Sequence, residues 1–147
     1  MNIDRVFAVV GSALDSQRQR LNIIASNLAN AESTRSPNGG PYIRRDVVFQ
    51  ATSTQAKFQS VFNNAFGDPS EPSGVRITDI IEDSRPLRTV YEPDHPDADE
   101  NGYVALPNIN VMEEMVNMIS ATRSYEANVT AVKAAKDMAL KALEIGQ

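Results

Sequence analysis

The longest hydrophobic pattern in the chain lies near its C-terminal end, in residues 111–143. Apolar positions recur there at alternating steps of four and three, with no glycine or proline between them, which is the spacing of a coiled-coil helix. Beyond Val132 the pattern is continued better by Ala135 and Ala139, a local slip in the repeat. The other faces carry alanine and small polar residues with few charges, so we expect other helices to surround this one. The repeating positions are Val111, Met115, Met118, Thr122, Tyr125, Val129 and Val132.

A second helix with the same spacing is predicted at the N-terminal end of the chain. It is expected to end near Ala31, before the breaker Pro37-Asn38-Gly39-Gly40-Pro41. Gln17 is the polar member of its repeat, and two interpretations remain open. It either pins the register of a coiled coil from a buried position or lies partly in water where the repeat rotates. The repeating positions are Ile3, Phe7, Val10, Leu14, Gln17, Leu21, Ile24 and Leu28.

Between the two helices the composition predicts short strands joined by loops. Strand composition appears at residues 42–50, 75–81, 87–91 and 103–106. Residues 51–66 fit either a short helix or a loop, and residues 67–74 have the composition of a linker.

The predicted fold class is mainly α with a small β insert. The long N- and C-terminal helices are expected to form an antiparallel coiled-coil stem, with a short β-rich region between them. We expect an N-terminal helix in residues 1–34, a loop and β-rich acidic insert in residues 35–107, and a C-terminal helix in residues 108–147. Both helices belong to one stem domain in this division.

Length and charge narrow the class of protein. A chain of 147 residues suits one compact domain or a small insert on a helical stem. Residues 67–107 hold three basic and ten acidic residues, a net charge of −7, whereas the helices are nearly neutral. We therefore expect protein partners and no nucleic acid. No apolar run is long enough to cross a membrane, and charges interrupt the N-terminal segment, so neither direct membrane insertion nor a cleaved signal peptide is expected.

The candidate for a metal site is the acidic segment that begins at residue 97. Asp97, Asp99 and Asn101, followed by Gly102, match the first half of an EF-hand calcium loop. The closing position falls on Asn108, which cannot supply a bidentate carboxylate. We interpret the segment as an acidic turn and expect no metal and no cofactor.

No catalytic arrangement stands out in the sequence. The chain has no cysteine and one histidine, His95, which lies between two prolines. No serine sits in a nucleophile elbow, and no glycine-rich phosphate loop is visible. We do not expect an enzyme.

Motifs at both ends resemble those of the flagellar axial proteins of bacteria, the family of rod, hook and related components. The N-terminal helix closes on Asn27-Leu28-Ala29-Asn30, and the C-terminal helix carries Arg123-Ser124-Tyr125 followed by Ala127-Asn128. The turn after the first helix is longer than is usual in that family. That length, together with Gly102-Tyr103-Val104 and Glu114-Met115-Val116-Asn117, is most similar to the proximal-rod members.

The resemblance implies a structural subunit of the flagellar basal-body rod. Such a subunit is exported by the flagellar type III apparatus and polymerises, with copies of itself and other rod proteins, into a helical drive shaft that crosses the periplasm and transmits torque. The residue pattern independently favours polymerisation, because heterologous contacts that do not close generate filaments. The alternative interpretation is a soluble coiled-coil adaptor or export chaperone.

The expected assembly interface combines the apolar repeats with the family motifs. For Asn27 and Asn30 we expect hydrogen bonds at the helix end and the turn beyond it, since an amide both donates and accepts. Before assembly we expect disordered terminal helices and an ordered segment at residues 42–106. The interface residues are Ile3, Phe7, Val10, Leu14, Leu21, Ile24, Asn27, Leu28 and Asn30 in the first helix, and Val111, Met115, Met118, Arg123, Tyr125, Asn128, Val129 and Val132 in the second.

Overall fold

The structure of the protein is a computed structural model, and it describes residues 3–37, 39–52 and 74–145. The segment for which the sequence left a helix and a loop open therefore lies almost entirely outside the described residues, as do the linker before Gly74 and the side chain of Ile3. In chain order the described elements are helix α1 (Ile3–Ala29), strands β1 (Arg45–Thr52), β2 (Gly74–Glu82), β3 (Arg88–Tyr91) and β4 (Tyr103–Leu106), and helix α2 (Val111–Ile145).

The two long helices and the small antiparallel β region between them are confirmed. Each predicted helix and strand has a counterpart, although α1 ends at Ala29, before the expected limit of residue 34. The pairing of α1 with α2 as a coiled coil stays a prediction.

Polar side chains define the two helix ends that face the β region. At the end of α1, the Asn30 amide donates from Nδ2 to the carbonyl of Ser26 at 2.8 Å. At the start of α2, Asn110 accepts the backbone N–H of Met112 on its Oδ1 at 3.0 Å, which is the role of an N-cap residue. Glu113 and Glu114 follow in the first turn, where negative charge stabilises a helix.

The strands form two separate two-stranded sheets, β1 with β2 and β3 with β4. In the antiparallel β3–β4 pair, Arg88 lies opposite Leu106 and Tyr91 opposite Tyr103. The two tyrosine rings meet edge to face, with centroids 5.3 Å apart. Val104, on the other face of β4, is buried, so one side of this hairpin faces the protein interior.

The chain divides into two compact units, and each helix contributes to both. One unit takes in α1 as far as Arg18, the facing parts of β1 and β2, and α2 from Arg123 onward. In this unit the Ser12 hydroxyl accepts the backbone N–H of Val75 at 3.0 Å, and the Ser16 hydroxyl donates to the carbonyl of Val75 at 3.3 Å. Two serines one helical turn apart thus hold the first residues of β2 against α1.

The second unit contains residues 19–48 and 79–122. It includes the last turns of α1, the first turns of α2 and the β3–β4 hairpin. Its buried apolar side chains include Ile24, Ala31, Val104, Ile109 and Ala121. Buried among them are charged and amide groups, which form the site described below.

Helix α2 buries a different side from the one that hydrophobic spacing predicts. Glu114, Ala121 and Ala135 are buried, whereas Val111 and Met115 are largely exposed. These buried positions are separated by multiples of seven residues, so they share one heptad phase. It is the phase of Ala135 and Ala139, which the sequence pattern assigned to the helix only beyond Val132. The slip in the repeat is therefore present from the first turn. The physical reason is that the carboxylate of Glu114 is matched by buried partners, which an apolarity pattern does not register.

Gln17 is half-buried, and its amide oxygen is withdrawn from water. Among the described residues this oxygen has no hydrogen-bond partner. Covering an unpaired amide oxygen costs about 1–3 kcal/mol. Because the residue is half-buried and this oxygen is unpartnered among the described residues, both interpretations of Gln17 stay open.

The hairpin turn supplies a test of side-chain packing. Gly102 has a φ of +80°, and a Cβ there would lie 2.9 Å from Cε2 of Tyr91. Gly102→Ala is expected to lower the free energy of unfolding by about 2–3 kcal/mol, from backbone strain and displacement of the tyrosine ring. Urea unfolding of the purified protein measures this loss.

Gly39→Ala is the matched control, because Gly39 also has a φ of +80° but a Cβ there meets nothing within 4 Å. It should cost only the backbone strain, about 1 kcal/mol. Equal losses in the two variants would contradict the close packing of Tyr91 on Gly102.

Candidate functional site

A buried polar cluster joins the last turn of α1 to the first turn of α2. Its central members are Asn27, Arg44 and Glu114, with 0%, 7% and 0% of their surfaces exposed. Oε1 of Glu114 accepts a hydrogen bond from Nε of Arg44 at 2.8 Å, and Oε2 accepts one from Nδ2 of Asn27 at 3.0 Å. We name these three residues the polar clamp.

Asn27 uses both ends of its amide to hold the start of β1. Besides Glu114, Nδ2 donates to the carbonyl of Arg45 at 2.8 Å. Oδ1 accepts the backbone N–H of Arg45 at 3.0 Å and the hydroxyl of Tyr42 at 3.1 Å. The side chain thus pairs with Arg45 as a neighbouring strand would, which is why an amide suits this position.

Arg44 is surrounded by acceptors from several segments. Beyond Glu114, its guanidinium lies 3.2 Å from a carboxylate oxygen of Asp46 and 3.5 Å from one of Asp83. Burial acts to lower the pKa of Arg44, but hydrogen bonding to Glu114 and the charges of Glu114 and Asp46 outweigh it, so the pKa is raised. The guanidinium therefore remains charged inside the protein.

A second layer of contacts fixes the segments that carry the clamp. Oδ1 of Asn108 accepts the backbone N–H of Arg44 at 3.0 Å, while its Nδ2 donates to the carbonyl of Arg85 at 3.1 Å. Asp83 donates its backbone N–H to the carbonyl of Arg44 at 2.8 Å. The side chain of Asp83 also accepts from Nε of Arg85 at 2.8 Å. The strand ends and the approach to α2 are thereby tied to the same arginine.

The acidic segment after β3 is held by contacts of its own. The Thr34 hydroxyl donates to Asp97 at 2.7 Å, and Arg35 forms an ion pair with the same carboxylate. Oδ1 of Asp99 accepts the backbone N–H groups of Asn101 and Tyr103 at 2.9 and 2.8 Å. The carboxylates at these two positions of the calcium-like motif thus cap the turn and anchor it to the segment after α1. Within the described ranges, no group of three or more histidine, cysteine or acidic side chains is placed to hold a metal ion.

The structure disperses the predicted interface residues over several environments. Asn27 lies in the polar clamp, Asn30 bonds the end of α1, and Ile24 is buried. The hydrogen bonds expected of Asn27 and Asn30 are therefore confirmed. The exposed predicted residues are Phe7, Val111, Met115, Arg123 and Tyr125, and the half-buried ones are Val10, Leu14, Leu21, Leu28, Met118, Asn128, Val129 and Val132.

Helix α2 also presents an apolar stripe that the sequence did not single out as such. Met112, Val116 and Ile119 are 69%, 64% and 55% exposed, and Val111 and Met115 lie beside them. We name these five residues the exposed α2 face. Met112, Val116 and Ile119 are spaced by four and three residues, so they form a second apolar repeat in the same helix. That repeat is the sequence signal that could have indicated this face.

Sequence reasoning missed Arg44, Asp83, Asn108 and Glu114 as parts of a site. Arg44 belonged to a predicted strand, Asn108 to the approach to a helix, and Glu114 only to a family motif. Each residue belonged to a local sequence pattern. Such a pattern does not indicate a partner 70 residues away in the chain, which is the separation of Arg44 from Glu114.

Comparison with known proteins adds an independent observation. A family model described as "Flagella basal body rod protein" matches residues 7–35, and one described as "Flagellar basal body rod FlgEFG protein C-terminal" matches residues 100–145. The flagellar basal-body rod protein FlgC of Escherichia coli O6:H1 is 46% identical over 147 residues, which covers 100% of both chains. FlgC of Salmonella typhimurium is 43% identical with the same coverage, and FlgC of Bacillus subtilis is 45% identical over 144 residues, 95% of each chain.

The chain belongs to the FlgC family of flagellar basal-body rod proteins. It is a structural subunit of the rod and not an enzyme, and the resemblance to axial proteins is confirmed. The adaptor or chaperone alternative is not favoured. Two of the three clamp residues, Asn27 and Glu114, lie within the matched segments, one in each, and Arg44 lies between them. None of the helices in the described part of this FlgC-family chain is long and apolar enough to span a membrane.

Two carboxylates with lowered pKa values, Asp83 next to Arg44 and Asp97 in the acidic turn, lead us to expect a loss of stability in acid. The pKa of Asp83 is lowered chiefly by the hydrogen bonds it accepts from Arg85, and that of Asp97 chiefly by the one from Thr34. A carboxyl with a lowered folded pKa contributes stability that is complete above its unfolded value, about 3.9, and is lost as the pH falls through the folded value. We therefore expect the free energy of unfolding to fall below about pH 4–5.

Urea unfolding across the range from neutral to acid measures this effect. Asp83→Asn should flatten the acid dependence, because the amide has no proton to take up. Asp94→Asn removes the same charge from the same acidic insert and is the control for the change in net charge. An unaltered slope in Asp83→Asn would contradict the assignment.

Proposed function

We propose that this subunit polymerises through its terminal helices into the helical rod. Its neighbours are copies of itself and other flagellar rod proteins, and the rod crosses the periplasm as the drive shaft that transmits torque. The observation that carries this proposal is the exposed α2 face. Five adjacent apolar side chains on one helix are left largely open to solvent.

The geometry of this face favours a protein neighbour. At 100° per residue, its five positions fall within about 140° of the helix circumference, so they form one continuous stripe. Glu114 and Ala121 lie outside that arc and are buried within the subunit. One side of α2 is thus covered by its own chain, while the exposed side needs cover from another. A contact of this kind between unlike surfaces extends into a filament when the rotation does not close.

The proposal keeps the antiparallel coiled-coil stem formed by residues 1–34 and 108–147, with residues 35–107 as the insert. The hydrogen bond between Asn27 and Glu114 supports it, because it joins the last turn of α1 to the first turn of α2. An antiparallel stem requires a junction of this kind, in which the end of one helix contacts the start of the other.

The remaining partners follow from charge and from the family. The flagellar type III apparatus is the proposed export route. Neither nucleic acid nor direct membrane insertion is part of the proposal, because the helices are nearly neutral and residues 67–107 carry a net charge of −7 from three basic and ten acidic residues.

The predicted interface residues remain part of the proposal, but they do not all have the same role. The exposed and half-buried members contact neighbouring subunits. Asn27 acts indirectly, because its side chain is fully covered within its own subunit and positions the end of α1 and the start of β1.

Incorporation into the rod tests the role of the exposed α2 face. Met112→Lys places a charge at a position 69% exposed in the subunit, so subunit stability should change by no more than about 0.5 kcal/mol. In the rod the same charge would be buried without a partner, at a cost of several kcal/mol. We expect detergent-extracted basal bodies to contain the wild-type protein and to lack this variant.

Met112→Leu is the matched control, because it keeps an apolar side chain of similar volume and should be incorporated. Incorporation of Met112→Lys at the wild-type level would remove this face from the interface. Absence of the wild-type protein from basal bodies would overturn rod assembly itself and favour the adaptor.

The helix-end asparagines predict graded effects on motility. Asn27→Ala removes hydrogen bonds to Arg45, Tyr42 and Glu114, whereas Asn30→Ala removes one to the end of α1. Motility in soft agar at equal export should fall most for Asn27→Ala, less for Asn30→Ala and least for Ser26→Ala. The Ser26 control loses a single long contact, 3.4 Å to Tyr42. Equal motility in all three variants would remove both asparagines from the site.

A further inference from the structure

The polar clamp draws its members from three distant segments of the chain. Glu114 lies 70 residues from Arg44 and 87 from Asn27. The three segments are the end of α1, the residue just before β1 and the first turn of α2. All three contribute to the unit made of residues 19–48 and 79–122.

The charges of the clamp cannot be buried one at a time. Removing one partner of a buried ion pair typically costs 3–5 kcal/mol, because the other charge is left uncompensated. The side chains of Arg44 and Glu114 are 9% and 0% exposed, so each depends on the other for a partner away from water. Asp46 is half-exposed and Asp83 lies 3.5 Å away, so both are weaker substitutes for Glu114.

Asn27 connects this pair to the first helix. Its amide bonds Glu114 on one side and both backbone groups of Arg45 on the other. With α2 unfolded, the Nδ2 group loses Glu114, and Arg44 loses its closest acceptor. The start of β1 and the end of α1 are thereby coupled to the first turn of α2.

We propose that the polar clamp joins the end of α1, the start of β1 and the first turns of α2 into one cooperative folding block. This block becomes ordered only when Glu114 has reached Asn27 and Arg44. The ordered part of the unassembled subunit therefore extends from the β region into both helix ends, to about residues 19 and 122, the limits of the unit. This proposed extent is wider than the segment 42–106 that the sequence led us to expect.

The block acts as a conformational device for a chain that is delivered in an extended state. Segments that contain Asn27 and Arg44 remain without their native core until the first turn of α2 arrives. This consequence for export rests on the proposed function. The coupling itself does not, since it belongs to the single subunit.

Native-state hydrogen exchange on the purified full-length protein tests the coupling. In the wild type, the helix and strand amides within residues 24–48 and 111–121 should be protected and should open together as denaturant is added. Glu114→Gln keeps the shape of the side chain but removes its charge. It should reduce protection in both segments by the same factor, about tenfold or more, as expected when a buried charge loses its partner.

Glu113→Gln is the matched control, since Glu113 is the adjacent carboxylate of the same helix turn, half-exposed and 3.5 Å from Arg85. Its effect should stay below about threefold, as for an exposed ion pair. A double variant, Arg44→Met with Glu114→Met, leaves neither charge in the interior. It should recover most of the protection lost in Glu114→Gln, because an apolar pair of similar volume replaces a buried ion pair at little cost.

The outcomes separate clearly. Joint loss of both segments in Glu114→Gln supports the proposal, even if the block unfolds completely. Loss in one segment with protection kept in the other, equal losses in the two glutamate variants, or no recovery in the double variant would each overturn it. So would a wild-type protein protected only between residues 42 and 106. Because the unassembled subunit is measured, failure of rod incorporation in the Met112 experiment leaves this result unaffected.

Discussion

The buried ion pair between Arg44 and Glu114 is the constraint on which the unit of residues 19–48 and 79–122 depends. Removing two charges from water is unfavourable unless the geometry is good and the remaining polar atoms are bonded. Both conditions hold here, because Nε of Arg44 lies 2.8 Å from Glu114 and Asn27 occupies the second carboxylate oxygen. The end of α1, the start of β1 and the start of α2 are placed by the need to complete this set.

Such a pair contributes specificity more readily than stability. An apolar cluster of the same volume would be at least as stable, but it would tolerate small rotations and shifts of the helices. Helix α2 offers two apolar phases, and hydrophobic packing distinguishes poorly between them. The carboxylate of Glu114 has Arg44 and Asn27 as buried partners, and these contacts favour one of the two phases. The contacts of the clamp therefore favour the phase in which Glu114 turns inward.

The same selection determines which side of α2 remains for other subunits. Once Glu114 and Ala121 face inward, Met112, Val116 and Ile119 are left exposed. In a protein of the FlgC family, this links the interior of the subunit to the proposed rod contact: the buried charges orient the surface on which neighbours pack. On this proposal, Asn27 affects assembly through the orientation of the helix ends, because its side chain is covered within its own subunit.

The sequence by itself determined the elements of this protein, because their signals are local. The spacing of apolar residues, the breaker after Ala31 and the β-rich composition of residues 42–50 and 75–81 each act over a few neighbours. Tertiary structure alone decided which face of α2 is buried and which polar residues form the site. Neither Arg44 nor Glu114 carries a local signal of burial, since a charge is buried only when the fold supplies its partner. That partner is 70 residues away, beyond the reach of any periodic pattern.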